Sequence, residues 1–119
     1  MQRGRDDRQR SLQSRLGTEP QLNPSKENAM KRMEALALSF PSLEHAPGVS
    51  PWEPEVFAEW AAGPAPSHGT RCAAPLVLLV WNSYAEWPCG RFDLMDALAC
   101  WDDRHRAAFI AWAQKPWWA

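Results

Sequence analysis

The stretch Cys72 to Trp81, CAAPLVLLVW, decides the fold. Its apolar run LVLLVW, Leu76 to Trp81, has no readable period. The β-branched and aromatic content suits a buried strand, and the same residues suit a buried helix entered from Thr70. We read helix, because the neighbouring segments are helical and no second strand is evident to pair with it. The whole apolar stretch Cys72 to Trp81 is ten residues long and contains Pro75, whereas a membrane-spanning helix needs about 20. No membrane span is expected.

Downstream, residues 82–91 read as a turn region. Asp93 can then cap a helix beginning at Leu94, with Asp96 in its first turn favouring the positive end of the helix dipole. Leu94, Leu98 and Trp101 fall on one face. Asp102 or Asp103 can cap a last helix with an apolar stripe of Ala108, Phe109, Trp112 and Ala113, closed by Lys115 and stopped by Pro116.

Upstream, GPAPSHGTRCAAP, residues 63–75, reads as a loop because of its two glycines and three prolines. Before it, Ser50-Pro51-Trp52-Glu53 matches a capping box with Pro at the first helical position, although Pro54 also fits a helix start. Val56, Phe57, Trp60 and Ala61 line the face of that helix, which ends before Gly63. Residues 41–50 read as a loop. An amphipathic helix precedes it, with Ala29, Met30, Met33, Leu36, Ala37 and Phe40 at helical spacing, Asn23 or Ser25 as cap, Pro24 in the first turn and Pro41 as stop. The expectation is an all-α, single-domain bundle of four or five short helices over residues 25–119.

Residues 1–24 differ in kind. They contain Arg, Gln, Ser and Asp, with Leu12, Leu16 and Leu22 as the sizeable aliphatics after Met1. Too little can be buried to offset chain entropy, so a disordered basic arm is expected. Residues 1–34 carry eight Lys/Arg against five Asp/Glu, or +3, and residues 35–119 carry five against nine, or -4. An acidic body repels nucleic-acid phosphates. Any such contact would fall to Arg3, Arg5, Arg8, Arg10 and Arg15, with Arg104 and Arg106 on the last helix as a second contact.

The segment Leu78 to Asp102, LLVWNSYAEWPCGRFDLMDALACWD, resembles a family of short uncharacterised proteins encoded on bacterial integrative conjugative elements and plasmids. The likeness rests on an apolar helix ending in Trp81-Asn82, the Cys89-Gly90 turn, Phe92-Asp93-Leu94, Asp96, Trp101 and Asp102. The chain departs from the pattern at Arg91, where a second Gly is expected, and in its Trp-rich C-terminus. The resemblance implies an accessory gene of a mobile element and a helix over residues 70–82, and it transfers no catalytic residues.

Eight tryptophans are the loudest feature of the composition. Trp combines a large apolar body with one N–H, so it anchors small cores and dominates binding hot spots. Trp60, Trp81, Trp101 and Trp112 continue helical faces and belong in the core. Trp117, Trp118, Trp87 and Trp52 sit near ends or turns and are the candidate partner anchors. Trp117 and Trp118 either fold back or form an exposed patch.

Cys72, Cys89 and Cys100 cannot all pair within one chain, and the N-terminus shows no apolar signal segment, so reduced thiols and a cytoplasmic protein are expected. A zinc site from Cys72, Cys89, Cys100 and His105 or His68 is not expected, because the cysteine gaps do not form the close pairs of structural zinc sites, although Cys100 and His105 can approach across the helix break. Cys72 and Cys100 read as buried thiols, Cys89 as a turn residue, and no metal or other cofactor is expected. Asp93, Asp96, Asp102, Asp103 and His105 supply raw material for acid/base or divalent-metal chemistry, but helix caps and first-turn placement explain the aspartates individually. No GxxxxGK[ST] loop is present. The functional expectation is a non-enzymatic protein that binds another macromolecule, first a protein and alternatively nucleic acid through the arm.

Overall fold

The computed structural model describes residues 24–119, so the expected arm lies outside the described residues except for Pro24, where the first helix begins. Five α-helices follow: α1 Pro24–Leu38, α2 Pro54–Ala61, α3 His68–Trp81, α4 Leu94–Cys100 and α5 Asp103–Gln114. A short 3-10 helix, Pro41–Leu43, lies between α1 and α2. Among the described residues there is no strand, and the all-α expectation holds.

The deciding segment is the central helix. Every residue from Cys72 to Leu78 is buried, because α1, the 3-10 helix, α2 and α4 all pack against α3. A helix enclosed on several sides is apolar all round, which is why LVLLVW shows no period. Ser67 caps α3 through its Oγ, which accepts the Thr70 N–H. The helix therefore takes in much of residues 63–75, expected as a loop. Pro75 inside it forgoes the bond to the Arg71 carbonyl, a cost of about 3 kcal/mol in a helix interior. Burial of Leu76, Val77, Leu78 and Val80, at about 1.5–3 kcal/mol each, outweighs that cost.

Met33, Phe40, Leu43, Val49 and Phe57 close around α3 with essentially no exposure. Trp52 joins them, its ring 5.6 Å from Phe57 and edge-on to Trp81 at 5.8 Å. The expected Ser50 capping box does not form. Pro54 pushes its predecessor Glu53 into extended backbone (φ -137°, ψ 90°), so the helix cannot begin earlier, and Glu53 is the N-cap without a side-chain bond. Trp52, left outside the helix, turns inward, and its backbone N–H donates to the Glu34 carboxylate of α1 at 3.2 Å. Gly48 makes this turn possible: at φ +83° a Cβ would stand 2.5 Å from the Phe57 nitrogen.

The C-terminal helices are held differently. Asp93 and Asp102 cap α4 and α5 as expected, accepting the N–H groups of Asp96 and His105. The expected face of α4 is corrected, since Leu94 and Leu98 stand exposed and Ala97 is buried. A seven-residue helix presents only one narrow stripe to α3, and the small Ala97 lets the backbones approach. On α5, Ala108 is buried, Phe109 and Trp112 are half-buried and Ala113 is exposed. Trp101 plugs the junction between α4 and α5, with Phe40, Phe92 and Phe109 around its ring and its indole N–H on the Gly69 carbonyl at 3.0 Å.

Candidate functional site

The tryptophans expected as partner anchors separate in space. Trp52 is withdrawn from that set, because it lies in the core. Its indole nitrogen is buried and finds no acceptor among the described residues. Trp87 is half-buried over a cleft with Pro75, Leu79 and Phe92, its indole N–H 3.4 Å from the Asn82 carbonyl. Of the four tryptophans expected in the core, Trp101 is buried, while Trp60, Trp81 and Trp112 are half-buried against it.

The C-terminal tail folds back. The Trp112 indole donates to the Trp117 carbonyl at 3.0 Å, and the Ala119 N–H donates to the Val80 carbonyl at 3.0 Å. The Arg32 guanidinium sits 4.0 Å over the Trp117 ring, a cation–π contact that half-buries it. Trp118 stays 56% exposed, edge-on to Trp112 at 5.6 Å. Beside it Tyr84 is 94% exposed. Tyr84 and Trp118, with Trp81 and Ser83, line a groove of about 370 Å³. Sequence reasoning missed Tyr84. Its one signal was a lone tyrosine in the polar turn that follows a buried helix.

The acidic and imidazole groups do not form one cluster. Asp102 Oδ1 accepts from both the backbone N–H and the Nδ1 of His105, at 2.9 and 2.7 Å, and the backbone bond is the chief reason its carboxyl is held below the ordinary value. On its other side His105 Nε2 lies 2.8 Å from Ser42 Oγ of the 3-10 helix. The order Asp–His–Ser is that of a hydrolase triad, but an acyl-transfer site also needs free donors for an oxyanion. The Leu43 N–H next to Ser42 is bonded to the Phe40 carbonyl, and Pro41 has none to offer. The relay instead pins the start of α5 to the 3-10 helix. Asp103 pairs with Arg106, whose guanidinium also donates to the Trp101 carbonyl. Arg106 is thus engaged within the fold, while Arg104 is exposed; Arg3, Arg5, Arg8, Arg10 and Arg15 lie outside the described residues.

A second polar cluster joins α3 to α4. His68 Nε2 lies 3.1 and 3.0 Å from the two carboxylate oxygens of Asp96. Cys72 Sγ donates to Asp96 Oδ2 at 3.4 Å and stands 3.3 Å from Cys100 Sγ. Burial first, and then bonding to Cys100 and Asp96, pushes the Cys72 thiol far up; the His68 bond, followed by that from Cys72, holds the Asp96 carboxyl down. Cys100 is exposed rather than buried as expected, and Cys89 lies in the 87–90 turn, its thiol pushed up by burial. His105 stands in the Ser42 relay instead. The signal for this cluster was the four-residue spacing of His68 with Cys72 and of Asp96 with Cys100, which puts each pair on one helix face.

Comparison of the chain with protein-family models, with characterised proteins and with solved structures finds no match.

Proposed function

We propose that this chain is a non-enzymatic accessory protein of the bacterial cytoplasm that docks a protein partner on the groove between Tyr84 and Trp118. The observation that carries the reading is the pair itself: two large aromatic side chains left exposed beside one groove. Trp118 is held in place by Trp112 and by the bonds of Trp117 and Ala119 on either side of it. Aromatic anchors that are rigid before binding lose little conformational freedom on docking, and Trp and Tyr are enriched among the residues that dominate binding energy. The acidic body favours a partner whose contact surface carries basic residues around an apolar centre. The resemblance over residues 78–102 supports an origin on a mobile element, where such a protein would modulate a host or defence complex.

The test is affinity capture of the tagged full-length chain from cells of the encoding organism, with and without nuclease, beside Trp118→Ala and Tyr84→Ala. The expected result is a stoichiometric protein that survives nuclease and is reduced at least tenfold in both variants. Loss of all bound material on nuclease treatment would overturn the reading in favour of nucleic acid. Arg3, Arg5, Arg8, Arg10 and Arg15, with the exposed Arg104, would then be the next substitutions.

A further inference from the structure

We propose that His68, Cys72, Asp96 and Cys100 form a zinc site that ties α4 to α3. This inference is independent of the docking groove. Each helix supplies two donors one turn apart, His68 and Cys72 from α3, Asp96 and Cys100 from α4, so two helix faces converge with four ligands of nitrogen, sulfur and oxygen type. The ligand atoms of His68, Cys72 and Cys100 all lie within 4.8 Å of one another, and Asp96, outside that group of three, is bonded to His68 and Cys72.

Three of the six ligand–ligand edges can be compared with those of a tetrahedral site. With metal–sulfur bonds of about 2.3 Å and metal–nitrogen or metal–oxygen bonds of about 2.0 Å, the edges of a tetrahedron are about 3.8 Å between sulfurs, about 3.5 Å from sulfur to oxygen and about 3.3 Å from nitrogen to oxygen. The observed edges are 3.3, 3.4 and 3.0 Å. A shift of a few tenths of an ångström opens these three edges around an ion, and rotation of the exposed Asp96 and Cys100 side chains, one turn apart on α4, brings those two together.

The donor chemistry selects the metal. Two thiolates and an imidazole favour zinc over magnesium or calcium, which take oxygen ligands. On binding, the Cys72 and Cys100 thiols give up their protons to solvent, Asp96 enters as carboxylate and His68 as neutral imidazole. Two thiolates, one carboxylate and a divalent cation leave the centre at -1, and Arg71 and Arg91 line the same cleft to offset it. Four protein ligands close the coordination sphere, which marks a structural rather than a catalytic ion. Its consequence is mechanical: α4, whose buried residue is Ala97, gains a fixed bond to the core helix, and its exposed Leu94, Met95 and Leu98 are held in one orientation.

The test uses the reduced, chelator-treated full-length chain titrated with cobalt(II) as a spectroscopic stand-in and then with zinc. The expected result is a thiolate-to-cobalt charge-transfer band with tetrahedral visible bands, saturating at one equivalent and discharged by zinc. Cys100→Ser should weaken the charge-transfer band by about half, and His68→Ala and Asp96→Asn should each weaken zinc affinity at least tenfold. All three residues are exposed, and an unchanged helical circular-dichroism signal confirms that the variants fold. Cys89→Ser should bind as the parent does. Absence of the charge-transfer band in the reduced chain, undiminished affinity in Cys100→Ser, or loss of binding in Cys89→Ser would each overturn the assignment.

Discussion

The two halves of this molecule are held together by different physics. In the half built from α1, α2 and α3, the largest side chains, Trp52, Phe40, Phe57 and Met33, are fully buried around a helix that is itself enclosed. In the half built from α4, α5 and the tail, Leu94, Met95, Leu98, Ile110 and Trp118 remain exposed, against Leu38 and Val56 in the first half. The links include the Trp101 plug, the seating of Ala97 and Ala108 on the core, the Asp102–His105–Ser42 relay, the His68–Asp96 and Cys72–Asp96 bonds, the Arg32–Trp117 contact and the Ala119–Val80 bond. Apolar burial is strong and insensitive to detail, whereas a handful of directional bonds fixes orientation at little total energy. The first half therefore makes the molecule stable. The second leaves more of its large apolar side chains at the surface.

Substitutions sharpen the contrast. The largest expected effect is Trp52→Ala or Phe57→Ala, which should lower the free energy of unfolding by about 3–5 kcal/mol, measured by denaturant titration. Gly48→Ala should come next, since its Cβ meets backbone as close as 2.5 Å in addition to the left-handed penalty of about 1–2 kcal/mol. Gly90→Ala, at φ +90° with nothing within 4 Å, should lose that penalty alone. His105→Ala, which removes the relay and the ring packed on Phe40 and Trp101, should lose about 2 kcal/mol. Asp93→Ala removes the α4 cap and should lose about 1 kcal/mol. The smallest effect is expected at the outer face of α4, where Met95→Ala should stay within about 0.5 kcal/mol. A loss at Met95 as large as that at Phe57 would break the comparison.

What was legible in the sequence divides along the same line. Asp93 and Asp102 announce their helices because a cap acts on backbone only three residues away. The stripe from Met33 to Phe40 is legible for the same reason, being a local period. The inward turn of Trp52 was not, because it depends on Gly48 and on contacts with Glu34 and Trp81, distant in sequence. The exposure of Leu94 and Leu98 was hidden because their spacing fits a core face, and only the close seating of Ala97 reveals that α4 is turned the other way. The cluster of His68, Cys72, Asp96 and Cys100 was half legible. Each helix shows its pair at four-residue spacing, but that the pairs face one another is a property of the α3–α4 packing. Tyr84 carried no pattern, since exposure of a turn residue is decided by what fails to cover it.

The central claim is that the C-terminal half is the less firmly held part of one structure. Native-state hydrogen exchange on the metal-free chain tests it most directly, because it reads the opening free energy of each helix separately. The prediction is that amides of α3 from Ala73 to Trp81 exchange only with global unfolding, while those of α4 and α5 exchange through openings at least 1.4 kcal/mol less costly, or tenfold more populated. Equal opening free energies across α3, α4 and α5 would contradict the account.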